Sequence, residues 1–357
     1  MGLFNKNKKT LMESEIFEQP KVLKGILENE GIDNIEVPEN VKKIIIVASG
    51  SSYHCARYTS EILGEIAGIE ARSIYSSEFL LKKVIPHDKN TLYIFITQSG
   101  ETLDTLLALR RVKQGFEDEN GKYYLDTMSI TNNPNSTIAR ETKYHLDCMA
   151  GEEKSIAATK SFTAQMACAV TLTLRLAKDN GINVDEYVNS LNELPELIKE
   201  TLGLRVKIRQ LARLVAKQKV IAVLAEGISY AIGKEASLKI KETSYKHTIS
   251  GIVGEFMHGH IAVLNEKKSA IIFIAVNKMS TVAVENLTKI KDEYNPSIFV
   301  IGRDNRYISN FNIGIDCKND ILQMFSNVVI CQLLALENAL KLGRDVDNPK
   351  GLKKVVK

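Results

Sequence analysis

The sequence predicts an α/β fold made of two similar α/β/α sandwiches in tandem, each with a parallel sheet. Short apolar strands alternate with helical segments, the pattern of parallel sheets covered by helices on both faces. The same order of strand, small-residue turn and helix begins at residue 42 and again at residue 219, which indicates an internal repeat. A chain of 357 residues is also long enough for two domains.

In the first half, three apolar runs predict strands. Residues 42–47 are rich in β-branched side chains, and residues 53–66, which follow a Ser/Gly turn, show helical periodicity. Residues 92–97 form a second run, with a helical pattern at 103–112 after another polar turn. Residues 125–130 predict the third strand, so this half predicts a sheet with helices between its strands.

The second half repeats the pattern. An apolar strand at residues 219–224 precedes a small-residue turn and a helix that ends near residue 245. Residues 269–276 predict the next strand, 281–291 a helix, and 297–301 a further strand. Because these strands are continuously apolar, we expect both of their faces to be buried.

The domain boundaries follow from this repeat and from changes in composition. We expect an N-terminal helical arm at residues 1–40, a first domain at 41–180, a connection at 181–200, a second domain at 201–344 and a C-terminal tail at 345–357. The connection is polar and contains a proline, which is typical of a linker.

Composition excludes several function classes. There are 47 basic and 43 acidic residues, a net charge of +4 that gives no reason to expect a nucleic-acid or membrane partner. The five cysteines are far apart and form no metal-binding or disulfide pattern. No apolar segment follows the N-terminal lysines, so we expect no secretory signal and a cytoplasmic protein. Residues 156–177 are rich in apolar side chains but contain too many polar ones to span a membrane, and we expect a core helix there. We expect neither a metal nor a cofactor.

Two hydroxyl-rich turns, residues 49–52 and 97–102, are the candidate binding site. Each lies between a strand end and a helix start, where ligands of open parallel sheets bind. Free backbone N–H groups and the positive helix end favour an anion there, and hydroxyl groups add donors. For either turn alone, helix capping by the Ser and Thr side chains is the favoured interpretation. Two such turns in one half favour a phosphate site.

A second candidate is the helix near residue 240. Glu235, Lys239 and Glu242 share one helix face, an arrangement that also suits a solvated ionic stripe. The following Gly-bracketed turn presents Glu255 and His258, which favours acid–base chemistry. The remaining histidines show no comparable setting and are interpreted as structural: His54, His87, His145, His247 and His260.

These residues resemble the sugar isomerase (SIS) domain family, and most closely the isomerase portion of glutamine:fructose-6-phosphate amidotransferase. The shared blocks occur in family order over nearly the whole chain. They are EIFEQP at 15–20, SGSSY at 49–53, TQSGETLDT at 97–105, AGEEKSIAATKSFT at 150–163, EASLKIKETSY at 235–245, GEFMHG at 254–259 and DVDNP at 345–349.

The resemblance implies two tandem SIS domains, each flavodoxin-like, that bind a hexose 6-phosphate or aminosugar 6-phosphate. It implies that Glu242 moves a proton between C1 and C2, that His258 reaches over from a neighbouring subunit of a homodimer to assist ring opening, and that Lys354 in a catalytic tail stabilises the developing oxyanion or engages the carbonyl. The implied substrate-binding residues are Ser51, Ser52, Thr97, Gln98, Ser99, Thr102, Ile156 and Ala158, with Glu235, Lys239 and Glu255 in support.

The sequence also departs from the family pattern. Gly2 stands where the family has the nucleophilic cysteine of its glutaminase domain, so we do not expect glutamine to donate nitrogen by that route. Ala158 replaces a serine that contacts the sugar in the family. Residues 255–260 lack a family lysine and proline, and the tail ends without the family's acidic residues. These changes affect the C1–C3 end of the sugar site.

The resulting expectation is a stand-alone phosphosugar isomerase/deaminase that converts glucosamine 6-phosphate to fructose 6-phosphate and ammonia. A fructosamine-6-phosphate deglycase is the alternative, since Ala158 leaves room for a substituent on the nitrogen. A non-catalytic module that senses a sugar phosphate is the third class. Such a module needs the turns but no base, so Glu242 with His258 and Lys354 argues against it.

Overall fold

The structure is a computed structural model that describes residues 9–29, 31–302 and 308–354. Its framework is two five-stranded parallel sheets, one in each half of the chain. Helices cover both faces of each sheet. The expected two-fold repeat of an α/β/α sandwich is therefore confirmed, and the SIS-like arrangement is the same in both halves.

The first half begins with helix α1, followed by a short 3-10 turn at Ile32–Asn34. Its elements are α1 (Leu11–Asn29), β1 (Lys43–Ala48), α2 (Gly50–Ala67), β2 (Glu70–Tyr75), α3 (Ser76–Leu81), β3 (Thr91–Thr97), α4 (Leu103–Val112), β4 (Phe116–Asp118), β5 (Gly121–Tyr123), β6 (Asp126–Thr131), α5 (Thr137–Glu141), β7 (Tyr144–Asp147) and α6 (Lys160–Asp179). The sheet order is β2-β1-β3-β6-β7, and β4 and β5 form a separate antiparallel hairpin. The strand order changes direction between β1 and β3, which makes the space outside their carboxyl ends the expected ligand crevice.

The second half repeats this order. Its elements are α7 (Asp185–Leu191), α8 (Leu194–Gly203), α9 (Arg205–Val215), β8 (Val220–Ala225), α10 (Ser229–Ser244), β9 (His247–Ile252), α11 (Val253–Phe256), β10 (Ser269–Ile274), α12 (Thr281–Tyr294), β11 (Ser297–Ile301), β12 (Phe311–Ile313) and α13 (Asp320–Lys341), with a 3-10 turn at His260–Asn265. The sheet order is β9-β8-β10-β11-β12, which matches β2-β1-β3-β6-β7 of the first sheet strand for strand. Both halves are therefore flavodoxin-like.

The central strands are where the sequence predicts them, whereas the edge strands β2, β7, β9 and β12 lack a clear signal. An edge strand is only partly buried, as in the alternating burial of β2, so it does not need a continuous apolar run. The predicted connection at 181–200 is largely helical, with α7 and most of α8 inside it. The core helix predicted from residue 156 begins at Lys160, because residues 155–159 form a loop.

Two long helices form the centre of the molecule. α6 is buried over nearly its whole length, as the sequence predicts. Among the described residues, α13 is the one helix long and apolar enough to cross a membrane, and 94% of its apolar 18-residue stretch is buried inside the protein. It is a core helix that packs against α8, α9 and α10.

Helix packing joins the two halves beside the crevice. α2, which follows the first Ser/Gly turn, packs against α10 of the second half. α1 packs against α6 and α8 and reaches α13. The first-half turns and the acidic helix of the second half are thereby brought to one place.

Candidate active site

A cavity of about 650 Å³ lies at the switch point of the first sheet, a volume typical of small-molecule sites. Five segments of the chain meet there: the two hydroxyl-rich turns, the loop before α6, one end of α10 and the C-terminal tail. The lining residues are Ser49, Gly50, Ser51, Ser52, Thr97, Gln98, Ser99, Thr102, Ile156, Ala158, Lys239, Glu242, Gly351, Leu352, Lys353 and Lys354.

A second cavity, of about 620 Å³, lies between the end of α1, α6 and α7. Its charged side chains include Asp33 and Lys178, which form an ion pair with each other at 2.6 Å. Its wall contains no residue from the strand ends of the first sheet or from the N-termini of the helices that follow those strands. We therefore assign the chemistry to the cavity at the switch point.

The two turns are neighbours because their strands are. β1 and β3 pair in parallel with Ala48 opposite Ile96, so both strands end at the same edge of the sheet. Gly100 has a φ of +67°, and a Cβ at this position would lie 1.9 Å from Ser136 Oγ. Glycine is therefore required for the second turn to approach the neighbouring loop.

The start of each helix is open toward the cavity. Ser49 precedes α2 and Thr102 precedes α4, yet neither side chain caps its helix. By contrast, Ser136 and Ser280 do cap their helices, each accepting a backbone N–H three residues on. The first-turn N–H groups of α2 and α4 are thus left for a ligand, and their positive helix ends favour an anion. Capping does not explain these two turns.

The acidic helix face is buried. The side chain of Lys239 is 1% exposed, and its ammonium group lies 2.7 Å from Glu242 Oε2 and 3.3 Å from Glu235 Oε1. Burial lowers the pKa of Lys239, but the two carboxylates outweigh it and hold this pKa above its ordinary value. A solvated ionic stripe is therefore excluded.

Of these two carboxylates, Glu242 faces the cavity and Glu235 lies behind it. The Glu242 side chain is 21% exposed and that of Glu235 is 3% exposed. Burial raises the pKa of Glu235, but Lys239 and His54 bring the net value below its ordinary range, so this carboxyl is ionised. Glu235 also accepts a hydrogen bond from Ser51 Oγ at 3.0 Å.

The C-terminal tail is held in place at three points. Asp347 accepts the backbone N–H groups of Leu11 and Met12 at the start of α1. The backbone N–H of Lys350 donates to Tyr245 Oη. Beyond these contacts, Lys354 enters the cavity wall.

The ammonium group of Lys354 is paired with a buried acid. Its Nζ lies 2.5 Å from Glu153 Oε2 and 2.7 Å from the Ser155 carbonyl oxygen. Glu153 is fully buried and accepts further hydrogen bonds from Thr159 and Ser161. Burial raises its pKa, but Lys354 and these donors lower it below the ordinary value. This pair connects the tail to the loop before α6.

Most of the sequence-predicted site residues meet in this cavity. Those lining it are Ser51, Ser52, Thr97, Gln98, Ser99, Thr102, Ile156, Ala158, Lys239, Glu242 and Lys354, with Glu235 directly behind. His258 and Glu255 are exposed and do not line the cavity. Among the described residues, no group of three His, Cys, Asp or Glu side chains is arranged to hold a metal ion.

Two residues of this site were missed or misinterpreted from the sequence. Glu153 lies in the block at 150–163, but nothing in its spacing indicates that it binds Lys354. His54 was interpreted as having no special setting, whereas its Nδ1 lies 2.7 Å from Glu235 Oε2. Its position one helical turn after Ser51 was the available signal, since residues three apart share a helix face.

Comparison with known proteins finds relatives over nearly the whole chain. The SIS domain family matches residues 39–175 and 214–342. The glutamine–fructose-6-phosphate aminotransferase (isomerizing) of Wigglesworthia glossinidia brevipalpis is 31% identical over 368 residues, covering 98% of this chain and 59% of the relative. Human glutamine–fructose-6-phosphate aminotransferase (isomerizing) 2 is 32% identical over 369 residues, covering 98% of this chain and 53% of the relative. The chain thus spans little more than half the length of these relatives.

Solved structures show the same fold. The C-terminal domain of glucosamine-fructose-6-phosphate aminotransferase from Francisella tularensis superposes with a TM-score of 0.86 at 27% identity, covering 97% of this chain and all of that one. A glucosamine-6-phosphate deaminase from Thermotoga maritima has a TM-score of 0.78 at 21% identity, covering 97% of this chain and 99% of that one. At that identity the second likeness concerns the fold alone.

Proposed function

The chain belongs to the SIS domain family, and we propose that it moves a proton between C1 and C2 of a hexose 6-phosphate, converting glucosamine 6-phosphate and water to fructose 6-phosphate and ammonia. The observation that carries this proposal is one cavity in which two uncapped helix N-termini face a carboxylate held by a buried ammonium group. The first feature suits a phosphate and the second suits a proton transfer.

The phosphate is proposed to bind the two turns. Ser51, Ser52 and Thr97 line the cavity together with Gln98, Ser99 and Thr102, so hydroxyl, amide and backbone donors surround one space. Hydrogen bonds from neutral donors and helix N-termini hold an anion without a dedicated cation. The near-neutral net charge of the chain is consistent with such a site.

Glu242 is the proposed base. In the open-chain aminosugar, Glu242 removes the proton from C2, and the C1 oxygen becomes an enolate-type oxyanion that takes up a proton to give the enolamine. Glu242 then returns its proton to C1 while the amino nitrogen loses a proton, so a C1 alcohol and a C2 imine are formed. The resulting C2 imine takes up water and releases ammonia, which balances the overall reaction. Lys239 orients the carboxylate at 2.7 Å, and the ammonium groups of Lys239 and Lys354 supply positive charge beside the developing oxyanion.

Ring opening is assigned to His258 from a second subunit. The family resemblance supports this role, and in the isolated chain His258 is exposed outside its own cavity, where a partner could receive it. The proposal therefore includes a homodimer with shared active sites. Lys354 is proposed to leave Glu153 in part when the substrate carbonyl arrives, because its side chain is already 24% exposed.

A deglycase is the second candidate. Ile156 and Ala158 give one cavity wall an apolar surface without a hydroxyl group, and such a wall accommodates a substituent on the amino nitrogen. In a fructosamine 6-phosphate the substituted nitrogen is on C1, so the same base would move the proton in the opposite direction, from C1 to C2. Hydrolysis of the resulting C1 imine would release the amine and an aldose 6-phosphate instead of ammonia and a ketose 6-phosphate. A volume of about 650 Å³ accommodates this larger substrate as well.

The experiment is a coupled assay of the purified protein with three substrates. They are glucosamine 6-phosphate, fructose 6-phosphate with ammonium, and ε-fructoselysine 6-phosphate. We expect ammonia to be released from glucosamine 6-phosphate. With fructose 6-phosphate and ammonium we expect the reverse reaction, the formation of glucosamine 6-phosphate. Lysine release from the third without ammonia from the first would replace the deaminase by the deglycase. A protein that binds hexose phosphates but turns over none of the three would be a sensor.

A further inference from the structure

We propose that His54 is a positioning residue that keeps the base of the second domain in register with the phosphate turns of the first. This inference rests on the proposed function in one respect, the identification of Glu242 as the base. The path from His54 to Glu242 runs through Glu235 and Lys239, and every step in it is a direct contact between buried or half-buried polar groups.

The first step crosses the interface between the two domains. His54 lies on α2 and Glu235 on α10, and their side chains are 9% and 3% exposed. The ring nitrogen Nδ1 lies 2.7 Å from Glu235 Oε2. Ser51, one turn earlier on α2, donates to the other oxygen of the same carboxylate at 3.0 Å. α2 thus holds Glu235 through both of its oxygens.

The second step connects Glu235 to the base. Lys239 Nζ lies 3.3 Å from Glu235 Oε1 and 2.7 Å from Glu242 Oε2, so its ammonium group contacts both carboxylates and lies closer to Glu242. Oε2 of Glu235 receives His54, whereas Oε1 is shared by Ser51 and Lys239. Lys239 therefore stays close to Glu242 because other donors already satisfy Glu235.

Removal of the His54 donor changes which of the two carboxylates Lys239 lies closer to. Glu235 Oε2 would be left buried without a hydrogen bond, and an ionised carboxylate in that state is strongly unfavourable. Lys239 is the adjacent donor on the same helix face, so Glu235 would draw it away from Glu242. Glu242 would then lose its orienting contact, while the phosphate turns stay intact. The expected effect is on kcat more than on KM.

The test compares two substitutions at one position. His54→Leu removes the donor, whereas His54→Asn returns an N–H group close to the position of Nδ1. We expect His54→Leu to lower kcat by about tenfold or more with KM changed less than threefold, and His54→Asn to recover most of the loss. His145→Leu is the matched control, because this half-buried histidine also forms a hydrogen bond, to Ser129 at 2.9 Å, but does not line the cavity.

A second arm needs no turnover and no change at His54. Ring nitrogen resonances of ¹⁵N-histidine protein are recorded without substrate in Glu242→Gln, and in Glu255→Gln as the exposed control. We expect the His54 signal to shift in the first variant alone. No shift there, or equal kcat in wild type, His54→Leu and His145→Leu, overturns the inference. If the wild type turns over no sugar phosphate, the proposed function fails and the resonance arm alone decides on His54.

Discussion

Replacement of Lys354 by methionine tests how the tail is held. The change keeps the length of the aliphatic stem and removes the ammonium group that lies 2.5 Å from the fully buried Glu153 carboxylate. Removal of one partner of a buried ion pair costs about 3–5 kcal/mol in free energy of unfolding. Here the loss is smaller, about 2–3 kcal/mol, because Glu153 keeps its hydrogen bonds from Thr159 and Ser161 and the Lys354 side chain is 24% exposed.

The pH dependence of this loss has a definite sign. The pKa of Glu153 is below its ordinary value of 4.5 in the folded protein, so its stabilisation is present above the unfolded value and is lost as pH falls through the folded one. Without Lys354 the burial of Glu153 dominates, and its pKa rises. The difference in stability between wild type and Lys354→Met is therefore fully present at pH 7, and it shrinks as the pH falls from the raised pKa of Glu153 in the variant through the lowered pKa in the wild type.

The assay is thermal unfolding at pH 7 and at mildly acidic pH, with Lys353→Met as control. Lys353 is the preceding tail residue, and it is exposed. We expect a lower Tm for Lys354→Met at pH 7, by about 3–4 °C for a chain of 357 residues, and almost no change for Lys353→Met. Equal Tm values for the two variants, or a difference that grows on acidification, would refute the assigned ion pair.

Three other predictions concern the base, the shared site and the second turn. Glu242→Gln should lower kcat at least 100-fold and leave hexose-phosphate affinity within about threefold, by calorimetry and initial rates, since the base acts mainly in the transition state; unchanged turnover would remove Glu242 from the mechanism. Mixed dimers of Glu242→Gln and His258→Ala chains should regain up to about half of the wild-type activity per dimer, because one of the two sites is then complete; verified mixed dimers without activity would contradict a shared site. Gly100→Ala should destabilise the protein by about 2 kcal/mol or more in denaturant unfolding, because its Cβ would meet Ser136, whereas Gly68→Ala, at φ +65° in open space, should cost about 1 kcal/mol; equal losses would show that the close contact is unimportant.

Much of the fold was accessible from the sequence because the signal is strong where burial is complete. The central strands β1, β3, β8 and β10 are buried on both faces, which forces continuous apolar runs. The edge strands were not found because one side of each is partly exposed. α13 carries no glycine or proline and is buried around its whole circumference, with polar residues such as Gln323, Asn327 and Gln332 among the apolar ones, so its burial does not produce the one-sided pattern of an amphipathic helix.

The candidate site, too, was predictable from the sequence only in part. The hydroxyl-rich turns were found because strand ends and helix starts are adjacent in sequence, and their residues do line one cavity. The pair of Lys354 with Glu153 and the contact of His54 with Glu235 join positions about 200 and 181 residues apart. No local pattern contains such pairs, since each depends on how separate helices pack.

By itself the sequence determined two α/β/α sandwiches, the two turns at the first sheet and the acidic face of α10. These features follow from the periodicity and spacing of side chains along the sequence, which depend on backbone geometry within a few residues. The tertiary structure alone decided that the α10 charges are buried rather than solvated, that the turn residues leave their helices uncapped, and that the tail docks on Glu153. The physical reason is desolvation: whether a charge is costly or useful depends on which neighbours exclude water from it, and those neighbours come from distant parts of the chain.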